Sequence, residues 1–288
     1  MCRLNPRVDF AFKKLFGSEE NKDILISFIN SVLDQDEEIT DLTLKNPYNA
    51  QNFKNDKLSI LDVKAVDEKG VWYNIEMQIT DQDYYDKRAL YYWARLYTGQ
   101  LESGINYDKL EKTIVINVLN FNSLEEDNYH NIYKLFNTQS KEELIDHLEI
   151  HFIELEKYDK DLSEIQTALD RWTEFLKRAH EYNKNQIPSQ LSEVKSIEKA
   201  IKVLDTMYLN KDEREAYEAR LKWLRDEEMA LKKAERKGME RGMERGREEE
   251  RKQLIINMLR SGIKVKEAAK ITKLDQEIVQ TIKKSIED

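Results

Sequence analysis

The chain has 288 residues, with 47 Lys plus Arg against 56 Asp plus Glu, a formal charge of −9, 36% charged residues and few Gly (8) or Pro (3). That balance excludes collagen-like and Gly/Pro-rich disordered chains, and 40% apolar residues with no stretch of about 18 uncharged ones predict a folded chain without a membrane span. A single cysteine, Cys2, excludes an internal disulfide framework or a cysteine-based zinc cage, and a start without an apolar h-region predicts no signal peptide, so a reducing cytoplasm is the expected compartment.

In chain order, a first helix is expected over Asp9 to Phe16, broken by Gly17 and Ser18. Ser18 reads as the N-cap of a second helix through Leu33, with Glu19 and Glu20 at its positive end and Ile24, Ile26, Phe28, Ile29, Val32 and Leu33 on its apolar face. Strand-like runs follow at Ile39 to Leu44, Leu58 to Val66, Val71 to Ile79 and Thr113 to Phe121. A helix dense in Tyr and Trp, Tyr84 to Leu101, lies between the last two. Tyr129 to Phe136 and His147 to Leu155 read as peripheral strands. The pattern describes an α/β fold, a mixed sheet flanked by helices, and beyond about residue 160 it is helical almost throughout.

From Lys211 to Gln253 the chain has 14 basic and 13 acidic residues, as expected of one long solvated helix. It contains the repeat Gly238-Met239-Glu240-Arg241, Gly242-Met243-Glu244-Arg245, Gly246, read as a weakly stable helical linker or, alternatively, as a dimerising or hinge helix. Two short helices, Val265 to Thr272 and Asp275 to Lys284, with a turn at Lys273-Leu274, give the tail a helix-turn-helix-like spacing.

The segment richest in chemistry is DKLSILDVKAVDEKGVWYNIEMQI, residues 56–79. Two alternating runs flank Glu68-Lys69-Gly70, a three-residue hairpin loop with Gly where a left-handed residue is wanted. If Asp67 pairs with Val71, Asp62 falls opposite Glu76, and Gln78 follows on the same face. A loop one residue longer or shorter would break this arrangement. Two carboxylates facing each other in an apolar sheet repel unless a cation lies between them. Mg²⁺, a hard ion that takes oxygen ligands and keeps waters, fits, and it would support phosphodiester hydrolysis. The alternative is that both acids lie on an exposed sheet face, paired with Lys64 or Arg88.

Three segments carry a family resemblance: NPRVDFAFKKLFGSEENKDILISFIN, LDVKAVDEKGVWYNIEMQ and KRALYYWARLYTGQLESGINYDKLEKTIVINVLNF. In their order and spacing they resemble the Rpn-type recombination-promoting nucleases and putative transposases of the PD-(D/E)XK nuclease superfamily. The resemblance covers nearly the whole chain. It implies a restriction-endonuclease-like core, expected at 1–160; the pattern of the chain adds a helical extension packing on it at 161–210, a charged helical linker at 211–253 and a small helical tail at 254–288. It further implies a bacterial enzyme that cuts DNA with Mg²⁺ or Mn²⁺ in recombination, mobile elements or defence against foreign DNA. The alternative is a catalytically weak or inactive module that binds DNA or protein. Asp62 matches the superfamily's metal-binding Asp and Glu76 the acid of its E-x-K element, while Gln78 stands where that element has lysine. Asp9 resembles the family's N-terminal acidic position, as a third ligand or an orienting residue; its other reading is an ordinary charge at a helix N-terminus. Arg88 and Arg95, on nearly one face of the following helix, are candidates for contacts to DNA phosphate, with a salt bridge in the core as the alternative for Arg88. The C-terminal helices are expected to serve DNA engagement or a homodimer. His147 and His151 have the i, i+4 spacing of a helical zinc pair, but HLEIHFIEL alternates with strand period and offers no third ligand, so no metal site is read there.

Overall fold

A computed structural model describes residues 3–33, 38–46, 48–49, 59–60, 62–81, 83–102, 104–183, 187–207 and 209–287. The chain opens with α1 (Asp9–Phe16) and α2 (Lys22–Val32), joined by a 3₁₀ turn over Glu19–Asn21. Ser18 does not cap α2 as its sequence position suggests; its hydroxyl donates to the Lys14 carbonyl at the end of α1. Leu25 rather than Ile26 takes the fully buried place on α2, beside Ile24, Phe28 and Ile29.

Strands β1 (Leu42–Leu44), β2 (Tyr48–Asn49), β3 (Ser59–Ile60), β4 (Val63–Asp67) and β5 (Trp72–Gln78) come next, followed by α3 (Tyr85–Thr98). After them lie β6 (Thr113–Leu119), β7 (His130–Lys134) and β8 (Leu148–Glu154). Six strands form one mixed sheet in the order β1-β4-β5-β6-β8-β7, and β2 pairs with β3 in a separate ribbon. The single strand expected over Leu58 to Val66 is therefore two pieces, with a bend at Asp62 and with Leu58 and Leu61 outside the described residues. β5, β6 and β8 run parallel, and every residue of β6 is buried, as a central parallel strand covered on both faces requires. Of the two strands expected at the periphery, only β7 is an edge; β8 lies between β6 and β7.

Helices α4 (Ala168–Arg178), α5 (Ser189–Ser192) and α6 (Lys195–Thr206) complete the layer begun by α1 and α2. The main core joins Phe12, Phe16, Phe28 and Trp172 to Ile75, Ile116 and Ile201 on that face of the sheet. On the other face α3 packs through Tyr85 and Ala89 against Val115, Leu119 and Phe152.

The chain divides into two compact units, Met1–Leu221 and Lys222–Asp288. Helix α7 runs from Lys211 to Arg260, past the end of the charge run, and is followed by α8 (Val265–Thr272) and α9 (Gln276–Glu287). In the second unit a small core of Ile255, Ala268, Ala269 and Val279 holds α8 and α9 together, with Lys273 at φ 56 in the turn between them. A Cβ added at Gly238, Gly242 or Gly246 would meet nothing within 4 Å.

The β4–β5 hairpin is held by one buried carboxylate. Asp67 Oδ1 accepts from the backbone N–H groups of Lys69 and Val71, each at 2.9 Å, and Oδ2 accepts from the Tyr73 hydroxyl at 2.9 Å. Gly70 supplies the left-handed residue of the turn, at φ 88. Asp67→Ala should lower stability by about 2–4 kcal/mol, because it orphans three donors in a largely buried place. Chemical denaturation against the wild type checks this, and a loss below about 0.5 kcal/mol would show that the turn holds without its carboxylate.

Candidate active site

The hairpin register is the one the loop length implies: Val63 pairs with Ile75 and Val66 with Trp72. Continued one step, it brings Asp62 to Glu76. Asp62 sits at the bend just before β4, where its Oδ2 accepts from the Met77 backbone N–H at 2.8 Å. Glu76 points to the α3 face of the sheet and is only 1% exposed, so the pair does not lie on an open sheet surface. Its Oε1 accepts from Asn74 Nδ2 at 3.1 Å. Burial, and next the negative charge of Asp62, push the Glu76 carboxyl well above the usual carboxylate range. The Asn74 hydrogen bond and the positive charge of Arg88 offset that rise in part.

Arg88 stands on α3 facing this pair. Its Nε donates to the Tyr92 hydroxyl at 3.1 Å, and its guanidinium lies over the rings of Tyr85 and Tyr92, 5.6 and 5.1 Å from their centroids. Tyr85 in turn donates to Asn117 Oδ1 at 3.1 Å, and Asn117 is aligned with Glu76 across the β5–β6 pair. Arg95 is carried toward the other end of the sheet, where its neighbour on α3, Trp93, donates to the carbonyl of Thr113, the first residue of β6. Gln78 closes β5, and its carbonyl accepts from the Asn120 backbone N–H at 2.9 Å. Asp9 begins α1, but its side chain lies outside the described residues. Lys64 lies over the Trp72 ring, 5.0 Å from its centroid.

Two neighbours have no role in the sequence reading. Lys13 Nζ lies 3.3 Å from Asp62 Oδ1, so the two oxygens of Asp62 are shared between a backbone N–H and an ammonium. Arg7 Nη1 donates to Asn120 Oδ1, and its Nη2 contacts His180 Nε2 at 3.3 Å, just beyond the end of β5. Burial, then the Arg7 charge, lower the His180 pKa to about 4. The apolar spacing of α1 marks Lys13 as outward-facing, but a contact that closes across 49 positions leaves no periodic signal.

Among the described residues, no group of three or more His, Cys, Asp or Glu side chains could hold a metal ion. What the described residues bring together is a pair of carboxylates, the buried Glu76 and the partly exposed Asp62, rather than a closed protein cage.

Glu76→Gln should stabilise the protein in the absence of metal by on the order of 2 kcal/mol at pH 8 and above. A carboxyl whose folded pKa is raised destabilises the fold where it is ionised in both states and not at all below its unfolded value. The gain should therefore fade as the pH falls towards about 4.5. Thermal melts in a chelating buffer across that range measure it; a loss of stability at pH 8 would show that Glu76 is satisfied where it sits.

A family model described as PD-(D/E)XK nuclease family transposase matches residues 6–234. No curated protein and no solved structure matches the chain significantly.

Proposed function

The chain belongs to the PD-(D/E)XK nuclease family transposases, and from that premise we propose that it is a divalent-metal-dependent endonuclease that hydrolyses phosphodiester bonds in DNA. The observation that supports this best is the burial of Glu76 beside Asp62. Such a pair raises the free energy of the resting fold, and a cation between the two carboxylates relieves it.

In this reading Asp62 and Glu76 hold the metal, with Asp9 as a further ligand. The residues fit a hard ion such as Mg²⁺ or Mn²⁺: two carboxylates, one with an oxygen already oriented by the Met77 N–H, leave places for water and a phosphate oxygen. When bound, the ion supplies an acidified water and withdraws charge from the phosphate. The Met77 N–H fixes the direction of Asp62, and Asn74 does the same for Glu76. Arg88 acts on the site through Glu76. Gln78 orients water or phosphate through its amide, which both donates and accepts but carries no charge. Hydrolysis joins the water oxygen to phosphorus and breaks one bridging P–O bond, and the proton released by the water passes to the leaving oxygen. An activity of this kind serves DNA recombination, mobile elements or defence against foreign DNA.

A second reading, a nuclease-derived fold that binds without cutting, draws on Gln78 in place of a lysine. One experiment separates the two. The full chain, incubated with supercoiled plasmid and Mg²⁺ or Mn²⁺, should nick or linearise it. Asp62→Ala and Glu76→Ala should each reduce cutting by about 10²-fold or more while the circular dichroism spectrum is unchanged. Undiminished cutting by Asp62→Ala would sink the site assignment, and a wild-type protein inert on single- and double-stranded DNA with both metals would overturn the nuclease reading in favour of the binding one.

A further inference from the structure

The proposed site leaves one charge unassigned. Phosphoryl chemistry gathers negative charge on the phosphate oxygens, and sites that accelerate it place fixed cations against that charge. Gln78 brings none, and the Arg88 guanidinium is engaged with the Tyr92 hydroxyl and the rings of Tyr85 and Tyr92.

We infer that Lys13 of α1 is the phosphate-facing cation of this site: it is the counter-ion of Asp62 at rest and turns to the scissile phosphate when substrate is bound. This inference rests on the reading of Asp62 and Glu76 as metal ligands. Four observations carry it. Lys13 Nζ stands 3.3 Å from Asp62 Oδ1, the oxygen opposite the one that accepts from Met77 N–H. Its side chain is 43% exposed while that of Asp62 is 13% exposed, so the ammonium reaches the rim from the solvent side, where DNA would approach. It pairs with the less buried of the two acids, so its departure strands no deeply buried charge. The helix beneath it is firmly held: Ala11, Phe12, Leu15 and Phe16 are fully buried, and Phe16 packs on Trp172 with ring centroids 5.9 Å apart. The start of the Lys13 side chain is thus fixed while its end is free to choose between two oxygen anions. An ammonium on a flexible stem is a point charge well suited to a phosphate oxygen.

The test compares full-length wild type, Lys13→Met, Lys13→Arg and Asp62→Ala. Plasmid cutting is one readout, and Mn²⁺ binding without DNA, followed by electron paramagnetic resonance of the free ion, is the other. Lys13→Met should cut about 10²-fold more slowly, and Lys13→Arg should recover to within about tenfold of wild type. Mn²⁺ should bind Lys13→Met as tightly as wild type or a few-fold more tightly, because a competing cation has been removed from Asp62. Cutting by Lys13→Met within about twofold of wild type overturns the inference. So does Mn²⁺ binding weakened as severely as in Asp62→Ala, which would make Lys13 a prop for that carboxylate. Failure of the underlying site reading looks different: Asp62→Ala itself then cuts like wild type, or the wild type cuts nothing, and the Lys13 inference falls with it.

Discussion

The carboxylate of Asp67 is the constraint on which the rest of the site depends. By accepting from Lys69, Val71 and Tyr73 it fixes a three-residue turn, and the turn fixes the pairing of β4 with β5. Side chains alternate across a strand, so one step of slippage would put Glu76 on the face now occupied by Ile75 and Met77, against Phe12, Phe16 and Trp172. Everything that meets Glu76 follows from that parity. Parallel pairing of β5 with β6 sets Asn117 beside it, and Asn117 receives Tyr85. Tyr85 seats the first turn of α3, from which Arg88 faces the acid.

Glu76 differs in kind from the other buried acids. Asp170 is fully buried, yet Lys160, Tyr129 and two backbone N–H groups hold its carboxyl far below the usual range. Glu149 is buried too, and its contacts with His151 and Lys112, at 2.8 and 2.7 Å, outweigh desolvation and bring its pKa to about 2. Those acids are held by cations within hydrogen-bond distance and serve the fold. Glu76 receives the Asn74 amide, the Asp62 backbone N–H and the charge of Arg88, yet burial and the neighbouring Asp62 charge outweigh them and its proton affinity moves the other way. A buried carboxyl whose proton affinity is raised while the structural acids are lowered fits the functional role proposed for Glu76.

The hairpin was legible in the sequence because its signals are local. A period of two, a loop of fixed length and a glycine at the left-handed position suffice to set the register that pairs Val63 with Ile75, one step from Asp62 and Glu76. The bend that takes Asp62 out of the regular strand was not legible, because Ile60-Leu61-Asp62-Val63 has the composition of an unbroken strand. The interior place of β8 was hidden for a related reason. Strand order is set by which strands pair, and HLEIHFIEL looks alike at an edge or inside. Its buried acid and imidazole are accommodated by one another, with His130 stacking on His151 and Glu149 receiving Lys112. The contact of Lys13 with Asp62 was invisible because the two lie far apart along the chain. Ser18 misled because a serine after a glycine suits two helix ends at once, and here it served the earlier one.

The charge distribution sets the order in which this site can be filled. The first 210 residues carry 26 basic and 38 acidic side chains, a net of −12, whereas the tail from Lys211 is +3. Such a field repels a polyanion and attracts small cations. At the proposed site two of the acids converge, with the charges of Lys13 and Arg88 beside them. Binding of DNA by broad electrostatic contact, the usual source of nonspecific affinity, is therefore disfavoured over the nuclease-like half of the chain. A divalent cation faces no such barrier and removes much of the local one when it binds. For the metal-dependent reaction proposed above, metal first and phosphate second is the order this electrostatics favours. It also explains why the resting counter-ion of Asp62 should be a mobile lysine rather than a fixed arginine. In the proposed reaction the exposed ammonium of Lys13 leaves Asp62 for phosphate without stranding a deeply buried charge.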